Sequence, residues 1–414
     1  MKAIATLGRA IILSLLCAGI AGSAAPAPHD TWLRSWAASQ QVPEPNNALP
    51  DADFRDATIR QVVRVTVGGR RIRVLLSNVF GTEPLRIDAA HIALSLAAAS
   101  SRIDPASDRA LTFDGSTRVV IPAGASYLSD PIVFSAPALQ SLAITLYFPD
   151  APARQTGHPG SRATSYVVHG NQVAAAELTD AKKVQHWYQL AGVEVAASAG
   201  ARAIVTLGDS ITDGNGSTTD GSNRWPDRLA DRLQAMPATR DVAVLNHGIG
   251  GGRLLLDGLG PNALARFDRD VLAQTGVRYL LVLEGVNDLG TFTREGPQAP
   301  EAHAALVVRI IGAYRQIVAR ARAAGIKAFG ATIMPYGGSD YYHPDAQNEA
   351  DRQAINRWIR TPGNFDGVID FDAVTRDPAD SMQLRAALDK GDHLHPSVAG
   401  HRAMGDAISL ELFK

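Results

Sequence analysis

Cysteine is all but missing from this 414-residue chain: its one thiol, Cys17, falls inside an N-terminal segment that reads as a removable leader. The mature protein therefore has no disulfide framework. Its stability in an oxidising compartment must come from packing, and about 390 residues are ample for that, most simply as two domains. No second long apolar run follows the leader, which argues against a membrane span. A basic block is missing too. The chain carries 40 Lys and Arg against 41 Asp and Glu, and 38 against 41 once Lys2 and Arg9 are removed, a net charge near −3. With cations spread among acids, nothing recommends nucleic acid as a partner.

The leader spans Met1 to Ala25. Lys2 and Arg9 supply positive charge, Ala10 to Ile20 an apolar stretch, and Gly22-Ser23-Ala24-Ala25 the small residues of a cleavage site. A retained anchor needs about 20 apolar residues, more than this core offers. Lipidation at Cys17 is disfavoured because Leu16, not a small residue, precedes it. The expectation is a secreted or periplasmic protein.

The mature chain divides near residue 195. From 30 to 195 period-two patterns dominate. Val63, Val65 and Val67 alternate with Arg64 and Thr66, Gly68-Gly69 suggests a tight turn, and Ile72, Val74 and Leu76 resume, which predicts a β-hairpin. Similar runs at Ile92/Leu94/Leu96 and Leu142/Ile144/Leu146/Phe148 extend the pattern to an antiparallel, jelly-roll-like sandwich.

From 200 to 414 apolar runs alternate with helical ones. Ala203 to Leu207, Val242 to Leu245, Tyr279 to Leu283 and Ala328 to Ile333 read as strands buried on both faces. Glu301 to Ala324 reads as a crossover helix with Leu306, Ile310, Tyr314, Ile317, Val318 and Ala321 on one face, ended by Gly325. A last helix is expected to start at Pro396. The result is a three-layer α/β/α domain with a mainly parallel sheet, whose sites lie in loops beyond the carboxyl ends of the strands.

Those loops hold the reactive residues. Ser210 follows the first strand. A serine hydroxyl needs a base to take its proton and donors to stabilise the oxyanion. His395 is a candidate base, with Asp392 three residues earlier to orient it. Adjacency leaves His393 as a rival, and the stretch Asp392-His393-Leu394-His395 also reads as a helix cap or, less well, a metal site. Asn287 in Gly285-Val286-Asn287-Asp288 offers an amide to the oxyanion, or merely makes a turn. Gly250-Gly251-Gly252 allows close backbone approach. It is a poor dinucleotide loop, since Arg253 stands where the third glycine belongs and the run follows the second strand.

Taken together, four ordered stretches resemble the SGNH hydrolase superfamily, the GDSL esterases and lipases. They are Gly208-Asp209-Ser210-Ile211-Thr212-Asp213-Gly214, Asn246-His247-Gly248-Ile249-Gly250-Gly251, Gly285-Val286-Asn287-Asp288 and Asp392-His393-Leu394-His395-Pro396. The resemblance covers the C-terminal half, with isoleucine in place of the family leucine. It implies a flavodoxin-like hydrolase domain with Ser210 as nucleophile, His395 as general base and acid, and Asp392 as its partner. It further implies an oxyanion hole from the backbone N–H groups of Ser210 and Gly251 and the side chain of Asn287, with no metal or organic cofactor. The β-rich half resembles the accessory domain of a two-domain bacterial branch. An α/β-hydrolase is excluded, because Thr212 occupies the second glycine of its Gly-x-Ser-x-Gly elbow.

The implied activity is hydrolysis of short-chain, chiefly acetyl, esters through an acyl-enzyme, with a polysaccharide or glycoside as the attractive substrate. Two alternatives stand beside it: acyl transfer to a sugar by the same residues, and a glycan-binding protein whose hydrolase half is inert. Trp32, Trp36, Trp187 and Trp225 could stack on sugars or fill the core. The loop Asp150 to Ser161, with His158, is a candidate to reach the cleft. No segment resembles the apolar lid of a true lipase.

Overall fold

The computed structural model describes residues 30–414, so the leader expected over Met1 to Ala25 lies outside the described residues. The principal strands of the N-terminal part are β1 (Thr31–Ala37), β2 (Ala57–Arg64), β3 (Gly69–Ser77), β4 (Ala89–Leu94), β5 (Ser141–Phe148), β6 (Ser165–His169) and β7 (Leu190–Ala197). They form two antiparallel sheets. One runs β1-β7-β3, the other β6-β2-β5-β4, and shorter strands extend their outer edges. Alternation works as period two demands: Leu142, Ile144, Leu146 and Phe148 of β5 are all fully buried in one continuous core.

The expected hairpin does not form. β2 and β3 belong to different sheets, and residues 65–68 carry the chain from one to the other. Outside partners decide this. Val65 N–H donates to Gln140 O, Thr66 N–H and Oγ1–H donate to Ser35 O at 3.0 and 2.8 Å, and Val67 N–H donates to Ser35 Oγ at 2.9 Å. A Cβ on Gly68 would lie 2.5 Å from Ala136 O. The glycine therefore answers to a crowded crossing, not to a two-residue turn.

The C-terminal part is a parallel sheet of β8 (Arg202–Gly208), β9 (Val242–Gly248), β10 (Val277–Leu283), β11 (Lys327–Ala331) and β12 (Gly367–Ile369), in the order β9-β8-β10-β11-β12. That flavodoxin-like order places a switch point at β8, where the crevice for a site opens. Its main helices are α1 (Ser210–Asp213), α2 (Trp225–Ala235), α3 (Val286–Thr293), α4 (Pro300–Ala323), α5 (Ala346–Arg360) and α6 (Val398–Ala407). α2 packs on α6 and α4 on α5. The predicted face of α4 is buried at all six positions, and Gly325 follows at φ +73°. α6 starts two residues later than expected. Val398, not Pro396, is its first residue, and Ser397 caps it, accepting from Gly400 N–H, while Asp389 and Pro396 still pair in an extended bridge.

Both parts lie within one compact unit, Thr31–Lys414. Thr66 Oγ1 accepts from Val244 N–H of β9 at 3.1 Å, and His158 bridges Ser39 O and Asp213 Oδ1, each at 2.8 Å. The centre is Arg266, fully buried. It donates to Gly208 O (3.0 Å), His247 O (2.6 Å), Asp270 Oδ2 (3.1 Å) and Glu284 Oε1 (3.0 Å), tying together the carboxyl ends of β8, β9 and β10. Removing one partner of a buried charge network leaves the others uncompensated, typically at a cost of about 3–5 kcal/mol. Arg266→Met is expected to lose stability on that scale in urea denaturation of the mature protein. An unshifted midpoint would refute this account of the strand ends.

Candidate active site

β8 ends at Gly208, where a Cβ would lie 2.1 Å from Thr212 Oγ1 and 2.8 Å from Leu283 O; only glycine lets the chain turn so tightly. Asp209 then caps α1, its carboxylate accepting from Ile211 N–H at 2.9 Å. Ser210 stands at the first position of that turn, so its N–H has no acceptor within the helix. Its Oγ lies 2.8 Å from His395 Nε2, and His395 Nδ1 lies 2.8 Å from Asp392 Oδ2.

Burial works against the charge of Asp392, but hydrogen bonds from the His395 ring and backbone N–H and from Lys390 Nζ hold it well below the usual carboxylate range. His393 takes no part: at φ +55° it turns away to Asp389 Oδ2 at 2.7 Å. With Ser397 capping α6, the stretch from Asp392 to His395 is not a helix cap.

Asn287, at the start of α3 and 3% exposed, donates from Nδ2 to Gly252 O at 2.8 Å and accepts from Tyr342 OH at 2.5 Å. Because a carbonyl only accepts, the nitrogen must face Gly252, and the amide keeps a second N–H beyond that bond. Gly252 N–H is engaged by Ile249 O, whereas Gly250 and Gly251 line the cleft, Gly251 at φ +66°. Tyr342 was invisible in the sequence, since nothing local ties it to a residue 55 positions earlier.

These groups open into a cleft of about 990 Å³ that both parts of the chain build. Leu259, Arg253 and the 58%-exposed Tyr341 come from the C-terminal part; Glu44, Asn47, Pro159 and Arg162 from the β-rich part. The loop through His158 thus reaches the cleft. Of Trp32, Trp36, Trp187 and Trp225, the last three are buried, and Arg73 covers the Trp32 ring at 4.3 Å. Tyr341, stacked by Arg294, is the cleft's exposed aromatic.

Behind the serine lies an acidic cluster around Arg266. Burial pushes Asp209 up to about 7 and Asp288 up to about 6, and raises Glu284 well above its usual value. Asp288 still accepts from Leu254 and Leu255 N–H at 2.8 and 3.0 Å, fixing the loop that follows the glycines.

Residues 206–403 match the GDSL-like lipase/acylhydrolase family, and this part of the chain is a GDSL-like hydrolase domain that makes the protein a carboxylic ester hydrolase. Among solved structures, a GDSL-like lipase from Bacteroides thetaiotaomicron is 17% identical, the match covering 50% of this chain and 85% of that one at a TM-score of 0.36. A catalytic mutant of an acetylxylan esterase from Geobacillus stearothermophilus is 21% identical over 51% of this chain and 93% of that one, with a TM-score of 0.38. No curated protein sequence matches.

The raised acids carry a pH dependence of definite sign. Asp209 releases its proton near 3.8 when unfolded but only at about 7 when folded. Between those values the folded state binds more protons, so stability present at low pH is lost as pH rises through the window. Asp209→Asn keeps the capping oxygen and removes the charge. It is expected to lose less stability than the parent between about pH 5 and about pH 8 in urea titrations; identical losses would contradict the assignment.

Proposed function

We propose that this protein is an exported serine esterase that removes short acyl groups, acetyl above all, from the hydroxyls of a polysaccharide or glycoside. The observation that carries the reading is the relay Ser210–His395–Asp392, joined by two contacts of 2.8 Å in a cleft that both parts of the chain line. Ser210 Oγ attacks the ester carbonyl as His395 Nε2 takes its proton, and Asp392 stabilises the imidazolium. The N–H groups of Ser210 and Gly251 and the free N–H of Asn287 take the oxyanion. The alcohol then leaves with the proton, and water activated by His395 releases the acid.

Charged side chains from both parts, Glu44 and Arg162 from one and Arg253 and Arg294 from the other, stand in the cleft beside Leu259 and the exposed Tyr341, and such a mixed wall suits a polyhydroxylated alcohol with a ring to stack. Export rests on the leader at Met1 to Ala25; among the described residues no helix is long and apolar enough to cross a membrane. Intact contacts around Ser210 speak against an inert, merely glycan-binding role.

Assays of the mature protein on aryl acetate and acetylated polysaccharides test this. Ser210→Ala is expected to lose about 10⁴-fold or more in rate, and Asn287→Ala roughly 10²- to 10³-fold. Parental turnover by Ser210→Ala would end the proposal. Tyr341→Ala is expected to raise KM for polysaccharide more than for aryl acetate, by about tenfold, and acetyl esters should outrun ten-carbon ones. A clear preference for long acyl chains would point to a lipid substrate instead.

A further inference from the structure

Beside the serine stands a residue that the relay does not use. Asn215 follows α1 between Gly214 and Gly216, whose φ values are +110° and +94°. Its backbone is held at both ends: N–H donates to Ser210 O at 2.8 Å, and the carbonyl accepts from His401 Nε2 at 3.0 Å. A Cβ on Gly216 would lie 1.9 Å from Pro396 O, so this loop is pressed against the one that carries His395. The Asn215 side chain lines the cleft, with Nδ2 3.2 Å from His395 Nε2 and Oδ1 2.9 Å from Lys390 Nζ.

Lysine can only donate, so Lys390 fixes which end of the amide is oxygen. The amide N–H must then face Nε2. In the resting enzyme two donors, Ser210 Oγ at 2.8 Å and Asn215 Nδ2 at 3.2 Å, converge on the single lone pair of Nε2. Once Nε2 has taken the serine proton that lone pair is gone, and two N–H groups face each other. The Asn215 donor needs a new acceptor. The oxygen at hand is the ester's alkoxy oxygen, which must approach Nε2 to collect its proton.

We infer that Asn215 is a further catalytic residue, one that donates a hydrogen bond to the departing alkoxy oxygen, with Lys390 as its positioning residue. As the C–O bond breaks, its electron pair moves to that oxygen. The Nε2 proton transfers to the same atom, and alcohol departs from the acyl-enzyme. The Asn215 bond forms as that charge develops and not in the ground state, so it lowers the barrier without tightening substrate binding. The same N–H then holds the deacylating water. This inference rests on the proposed esterase activity.

The contribution must grow as the alcohol becomes a poorer leaving group. For Asn215→Ala, kcat/KM is expected to fall only severalfold with p-nitrophenyl acetate, whose phenolate departs unaided, but roughly 10²-fold with an alkyl or glycosyl acetate. Lys390→Met leaves the loop backbone untouched and is expected to give the same ordering with smaller factors. Equal losses on both esters, or none, in whichever of the two variants folds would overturn the inference while leaving the esterase intact. If the unaltered protein hydrolyses no ester, or Ser210→Ala hydrolyses them equally well, the esterase reading falls and this one with it.

Discussion

A single buried guanidinium sets the geometry on which the site depends. The carboxyl ends of parallel strands bring backbone carbonyls together at the edge where a ligand must bind, and those carbonyls need donors. Arg266 provides them to Gly208 and His247, and its charge balances Asp270 and Glu284. The next residue after Gly208 is the cap of the serine turn, and the next after Glu284 is the glycine that starts α3 and Asn287. Ser210 and Asn287 therefore share one reference. Arg269 pairs with Asp270 as well, at 2.7 Å, and with Asp209, Glu284 and Asp288 all raised by burial, protons neutralise part of the remaining cluster.

The β-rich part is bound into that reference at several points. Ser39 supplies its carbonyl to His158 and its hydroxyl to Asp270, the same carboxylate that Arg266 holds. His158 in turn grips Asp213, the last residue of α1. Through this chain of buried polar contacts the loop bearing Pro159 and Arg162 is fixed relative to Ser210. The cleft wall is thus as rigid as the relay it faces, and pre-organised walls lose little entropy when a substrate docks.

What the sequence made legible follows from the range of each signal. Runs such as Ala203 to Leu207 form strands because burial on both faces needs only local apolar residues, and the α4 stripe is equally local. The hairpin failed for the opposite reason: Ser35 and Gln140 outbid a turn that the local pattern favours. β12 escaped notice because three residues, one of them the partly exposed Val368, carry too little periodicity. Arg266 and Tyr342 looked like ordinary side chains, since every hydrogen-bond partner but Asp270 lies 18 or more residues away. Ser210, Asn287, Asp392 and His395 stood out through spacing and resemblance, and the structure brings all four to one cleft.

His395 and Asp392 share one loop, whereas Ser210, Gly251 and Asn287 follow strands of the sheet. That separation has a mechanical consequence. The sheet end is clamped by Arg266, but the loop bearing Asp392 and His395 touches the serine motif through the Ser210–Nε2 contact, through Asn215 and Lys390, and through the packing of Gly216 on Pro396. The Lys390–Asn215 Oδ1 bond and the packing of Gly216 on Pro396 therefore hold His395 and Ser210 in register even while both contacts to Nε2 are lost to proton transfer. A relay assembled from two independent elements needs such a splint, because the contact that aligns them in the resting state is the one the reaction destroys.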